Sequence, residues 1–218
     1  MTLKDKLDAV SAQTEKQASA QVLEVMHRAT AALLNSNILD GVVKAGDTLP
    51  HFTLNNAGGT PVRSQDILKH GPMVLTFYRG AWRPYCYLEL EALQQVVGAI
   101  TDLGATLVAV SPQMETFNRE FIQKHRLTFD ILSDPGNQVA NTFGLVHELP
   151  EDLRKAYRAF GIDLEKFNAD GLWRLPMPAR YVVDRNSVVR SADVNPDYTV
   201  RPEPNETVEF LRKMINPS

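Results

Sequence analysis

The stretch "PMVLTFYRGAWRPYCYLELEAL", Pro72 to Leu93, decides the fold. Its opening "PMVLTFY" is a run of apolar and aromatic residues of strand length, which suits a strand buried inside a sheet. After a short polar break, "PYCYLELEALQQVVGAITDLG" places Leu88, Ala92, Leu93, Val96, Val97 and Ile100 on one helical stripe, with Gly104 at the stop. Pro84 fits the first helical position, where a missing N–H costs nothing, so Cys86 falls in the first turn. Free backbone N–H groups and the positive end of the helix dipole favour a thiolate at such a place, and Arg79 and Arg83 stand close by in sequence. Trp82 and Tyr85 are placed to cover the sulfur and keep water out, which strengthens those electrostatic effects. The residues alone leave a second reading open. Cys86 would then be a small buried hydrophobe, Arg79 and Arg83 surface charges, and Trp82 core filling.

Working outward, strand and helix patterns alternate. "ATLVAVSP" and "TFDILSD" read as strands, and "METFNREFIQKHRL" and "NQVANTFGL" as the helices after them. "ARYVVDRNSVVRSADV" reads as a hairpin turning at Asp184 to Ser187, and "NETVEFLRKMI" as a closing helix with Asn205 as its cap. Upstream, "HFTLNNAGGTPVRSQDIL" predicts two short strands around a turn and then a helical turn capped by Ser64. The order implies an α/β domain with parallel sheet members and helices packed over them. Leu3 to Asn35 reads as one or two amphipathic helices whose apolar stripe needs a partner, either the main body or a second subunit of a homodimer. The expected organisation is a helical extension over 1–40 and a single domain over 41–218. Between Val146 and Pro176, "PEDLRKAYRAFG" looks helical and "IDLEKFNADGLWRLP" looks like a loop or insertion.

The bulk properties exclude several functions. A chain of 218 residues, 22% charged, with a formal net charge of -3 and no Lys/Arg cluster, offers no phosphate-tracking stripe, so no nucleic-acid partner is expected. Nowhere do about 18 apolar residues run together, and the N-terminus lacks the apolar core of a signal peptide, so a cytoplasmic protein without a membrane partner is expected. One cysteine and five scattered histidines give neither a disulfide nor a metal site. No Gly-rich phosphate loop precedes a helix, so no nucleotide cofactor is expected. His125 and His147 read as surface residues.

The blocks "KAGDTLPHFTL", "GTPV", "LTFYRGAWRPYCYLELEAL", "LVAVSP" and "FDILSDPGNQVANTFGL" occur in the order found in peroxiredoxins of the alkyl hydroperoxide reductase/thiol-specific antioxidant family, which this chain resembles. The likeness spans roughly residues 44 to 200 and is strongest to a branch with an Arg-Gly-x-Trp-Cys-Pro-Tyr-Cys site. It implies a thioredoxin-like fold, with a central mixed β-sheet flanked by helices and the active cysteine at a strand-to-helix junction. Against the family motif Pro-x-x-x-Thr-x-x-Cys, Cys86 takes the peroxidatic position, Arg83 the threonine position and Arg79 the proline position. In the branch motif, Arg83 replaces the first cysteine. The family's second arginine falls at Pro178, and Arg180, two residues on and on the same strand face, is the substitute in the pocket. The resemblance implies a thiol peroxidase of the one-cysteine type, acting on hydrogen peroxide or organic hydroperoxides. Its sulfenic acid would be reduced by an external thiol, either glutathione or a thioredoxin-like protein. The alternative is an impaired member kept as a redox sensor or interaction module, with Arg83 filling the peroxide pocket. Thioredoxin-type exchange ranks third because it needs two thiols.

Overall fold

The computed structural model describes residues 1–216. Seven strands form one sheet in the order β2-β1-β5-β4-β3-β8-β9. Strands β3 (Met73–Phe77), β4 (Thr106–Ser111) and β5 (Asp130–Ser133) run parallel at its centre. The flanking strands β1 (Thr53–Asn56), β2 (Pro61–Arg63), β8 (Ala179–Val183) and β9 (Val189–Val194) pair antiparallel, so the sheet is mixed.

Every residue of β3 is buried, because both faces of the sheet are covered. Met73, Leu75 and Phe77 enter a cluster with Phe143 and Tyr181, while Val74 points the other way against α4 (Pro84–Asp102). On α4 the fully buried residues are Cys86, Leu90, Leu93 and Ile100, each apolar one contributing about 1.5–3 kcal/mol by leaving water. Leu88 and Ala92, assigned to the same stripe from sequence, lie on the adjoining flank and meet Leu3 and Leu7 of α1 (Leu3–Gln17). The helix stops at Leu103, and Gly104 takes the left-handed backbone expected of it, at φ 71°.

The N-terminal stretch is two helices, α1 and α2 (Ala20–Leu34), restarted by Ser19, whose hydroxyl accepts from the Val22 N–H. Helix α1 buries Leu3 and Leu7 against α4, while α2 packs on α7 (Glu151–Ala159) with its apolar residues only partly covered and Leu34 exposed. Two expected caps differ. Ser64 is the first residue of α3 (Ser64–His70), and its hydroxyl accepts from the Phe52 N–H, tying the helix to the strand side. Asn205 lies inside α9 (Pro204–Ile215), which begins one residue earlier with a proline. The other helices are α5 (Glu115–His125), α6 (Gln138–Thr142) and α8 (Leu164–Asn168). The region read as a loop or insertion contains α8 and also β7 (Arg174–Pro176), which pairs antiparallel with β6 (Val146–Glu148). The pairing is non-local, so no short-range pattern announced it.

Candidate active site around Cys86

Strand β3 delivers the chain into a tight bend, Tyr78 to Arg83, that ends at the N-terminus of α4. The bend is held from the next loop. Gln113 Oε1 accepts from the Ala81 N–H at 2.7 Å, and Gln113 Nε2 donates to Asn118 Oδ1, which also accepts from the Tyr78 hydroxyl. Gly80 is required here by space, since a Cβ would lie 2.1 Å from Trp82 Nε1 and 2.8 Å from Gln113 Oε1. Pro84 occupies the first helical turn, exposed, and Cys86 follows it with no accessible surface.

The cation that touches the sulfur is Arg201, whose Nη2 donates to Cys86 Sγ at 3.9 Å. Its Nε donates to Glu89 Oε2 at 2.7 Å, and Nη1 donates to the carbonyls of Tyr198 and Val200. Glu89 stands one helical turn after Cys86 and is itself 1% exposed. Its other oxygen accepts from Arg180 Nη2 at 2.7 Å. Arg180 is anchored further by Pro202 O and Thr207 Oγ1. The strand position of Arg180 therefore leads to a buried Arg180–Glu89–Arg201 group, and of its two arginines Arg201 is the one on the sulfur.

Arg79 and Arg83 are also buried, but their partners are neutral. Arg79 Nε donates to Pro176 O and Nη2 to His147 Nε2 at 3.2 Å; Arg83 Nη1 donates to the Tyr157 hydroxyl at 2.8 Å. Both guanidinium groups lie over the Tyr198 ring, at 4.9 and 4.0 Å from its centre. Burial holds the pKa of Arg79 below the ordinary arginine range, and the charges of Arg83 and Arg201 push the same way. His147 is pushed down to about 3 by burial and by the Arg79 cation. It is therefore neutral, with Nε2 as the acceptor and the ring proton on Nδ1. The surface position expected for His147 is corrected by this contact, and His125 is likewise half-buried, stacked on Tyr87 and bonded to Glu91.

The remaining residues separate. Trp82 packs edge-on to Tyr157 and stacked on Phe167, so α7 and α8 fold over the bend. Tyr85 turns away to α1, where its hydroxyl bonds Ser11 at 3.0 Å. A cavity of about 200 Å³ opens beside Arg79, Arg83, His147, Tyr157 and Tyr198, with Met26, Ala29 and Leu33 of α2 as its apolar wall. Cys86 does not line it. Sequence reasoning missed Glu89, Arg201, His147 and Tyr157. Glu89 carried a usable signal, a carboxylate one residue before the buried Leu90 and three after Cys86.

A mixed sheet with a lone cysteine at the head of the helix after β3, one of its inner parallel strands, fits the class that the family match defines, a thioredoxin-like protein of peroxiredoxin type. The AhpC/TSA family profile matches residues 45–192, and the chain belongs to that family of thiol peroxidases. It is 29% identical over 206 residues to the chloroplastic peroxiredoxin Q of Sedum lineare, covering 93% of this chain and 98% of that one. It is 31% identical over 173 residues to the peroxiredoxin Q of Triticum aestivum, covering 79% and 68%. Among solved structures, the peroxidoxin BcpB of Mycobacterium tuberculosis superposes with a TM-score of 0.62 at 23% identity, covering 79% of this chain and 98% of that one. A yeast mitochondrial 1-Cys peroxiredoxin gives 0.62 at 16%, covering 79% and 76%, and shares the fold. Among the described residues, no helix is long and apolar enough to cross a membrane.

Proposed function

We propose that the chain reduces hydrogen peroxide or an organic hydroperoxide through Cys86 alone. The observation that carries this is the sulfur's place in the first turn of α4 with the Arg201 guanidinium against it. A guanidinium beside a sulfur is the partner a nucleophilic thiolate needs. The Cys86 thiolate attacks the distal peroxide oxygen and the O–O bond breaks. The departing oxygen takes a proton and leaves as water or an alcohol, and Cys86 becomes a sulfenic acid. An external thiol then displaces water to give a mixed disulfide, and a second thiol releases the reduced cysteine. Glutathione or a thioredoxin-like protein fits that role, in a reducing compartment such as the cytoplasm. Arg79 and Arg83 act through their charge rather than by contact, with Trp82 and Tyr157 walling the bend. Residues 1–40 serve as a helical extension on a peroxiredoxin-type domain over 41–218.

A second reading, an impaired sensor, is favoured by one observation. Cys86 has no accessible surface, and Arg83 is packed among Tyr157, Tyr198 and Trp82. Intact-mass spectrometry of reduced protein with one equivalent of peroxide and a sulfenic-acid trap separates the two. Rapid, complete trapping that is absent in Cys86→Ser, with turnover once a thiol is added, supports the peroxidase. Reaction no faster than a free cysteine's leaves the sensor reading.

A further inference from the structure

We infer that the cavity between α2, α7 and the β3–α4 bend is a binding site for a small monocarboxylic acid with an apolar body. It contains two buried guanidinium groups, Arg79 and Arg83, with no carboxylate paired to either among the described residues. Arg83 Nε is buried without any hydrogen-bond partner, and the Tyr157 hydroxyl, accepting from Arg83, still has its own proton to donate. The neighbouring His147 is neutral, so it does not add to or cancel the charge. The one acidic residue at the rim, Glu148, is exposed and paired with Arg154. Two uncompensated cations in a desolvated place are costly to hold unless an anion joins them, and a planar carboxylate matches the guanidinium fork.

The rest of the wall fixes the other half of the ligand. Met26, Ala29, Leu33 and Leu153 make most of it apolar, with Thr30 and Ser36 as its hydroxyl-bearing members, which suits a hydrocarbon body and disfavours inorganic anions such as phosphate or sulfate. At about 200 Å³ the space lies below the ~300–1,000 Å³ of sites that take drug-sized molecules, so the acid is small. Cys86 is not part of the wall, so binding does not depend on thiol chemistry.

The test is titration calorimetry with hexanoate, hexanamide and inorganic phosphate, on the wild-type chain and on Cys86→Ser. The expected result is hexanoate binding that is equal in both proteins, at least tenfold tighter than hexanamide, with no binding of phosphate. Arg83→Met should weaken hexanoate at least tenfold. Ala29→Phe, which fills the cavity from α2, should abolish binding while the circular dichroism spectrum stays unchanged. Equal binding of acid and amide, phosphate binding as tight as hexanoate, no hexanoate binding at millimolar concentration, or binding that survives Ala29→Phe would each overturn the assignment. Because Cys86→Ser is included, failure here is distinct from failure of the peroxidase reading.

Discussion

Two pairs of buried arginines flank the start of α4, and they are treated in opposite ways. Arg180 and Arg201 share one buried carboxylate, Glu89, and spend their Nη1 donors on backbone carbonyls or a hydroxyl, with Arg180 Nε buried without a partner. Arg79 and Arg83 lie over tyrosine rings and border a cavity, with only neutral acceptors. The first pair is built as a fixed frame that presents one guanidinium to the sulfur. The second stores positive charge next to open space, which is an arrangement for a ligand rather than for the fold. A charge's surroundings, more than its type, thus separate support from function.

The comparison is broken most directly at Glu89. Glu89→Leu leaves two buried cations without their carboxylate and should cost about 3–5 kcal/mol, read from urea unfolding. Arg83→Met should cost under about 1 kcal/mol or stabilise, because it removes an unpaired buried charge. A large loss there would show that Arg83 belongs to the frame.

The pH dependence sharpens the contrast. His147 has its folded pKa near 3, against 6.5 as the ordinary value, so the unfolded chain gains a proton first as the pH falls. The stability from keeping His147 neutral is complete above about pH 6.5 and is lost toward pH 3, by at most about 1.4 kcal/mol per pH unit. In His147→Gln that share of the slope between pH 6 and pH 4 should vanish, as followed by thermal melts. The smallest effect is expected at the exposed Arg28–Asp152 pair joining α2 to α7. Arg28→Ala should leave the urea unfolding midpoint unchanged, because an exposed ion pair is screened by water and salt.

The fold was legible where periodicity was strong. The buried run of β3, the α4 stripe and the β8–β9 hairpin are local patterns, and the structure has them within a residue or two. The β6–β7 pairing and α8 were not legible, because a three-residue strand carries almost no periodic signal. Of the site, the helix-start position of Cys86 follows from sequence; the burial of Arg79 does not, and neither does the approach of Arg201. That arginine sits in a loop 115 residues away and reaches the sulfur only through the tertiary fold. Arg180 was singled out for the face it shares with the expected pocket, and the structure gives that direction to Glu89 instead.

The central claim is that Arg201, held by Glu89, is the working cation on the Cys86 sulfur, while Arg83 adds only long-range charge there and serves the cavity. The measurement that tests it is the second-order rate of Cys86 with hydrogen peroxide in wild type, Arg201→Lys and Arg83→Met, under conditions where all three are folded. The predicted result is a loss of about tenfold or more in Arg201→Lys, where the fork to both Glu89 and sulfur is gone, and less than about threefold in Arg83→Met. The reverse order, with Arg83→Met slow and Arg201→Lys unchanged, would contradict it.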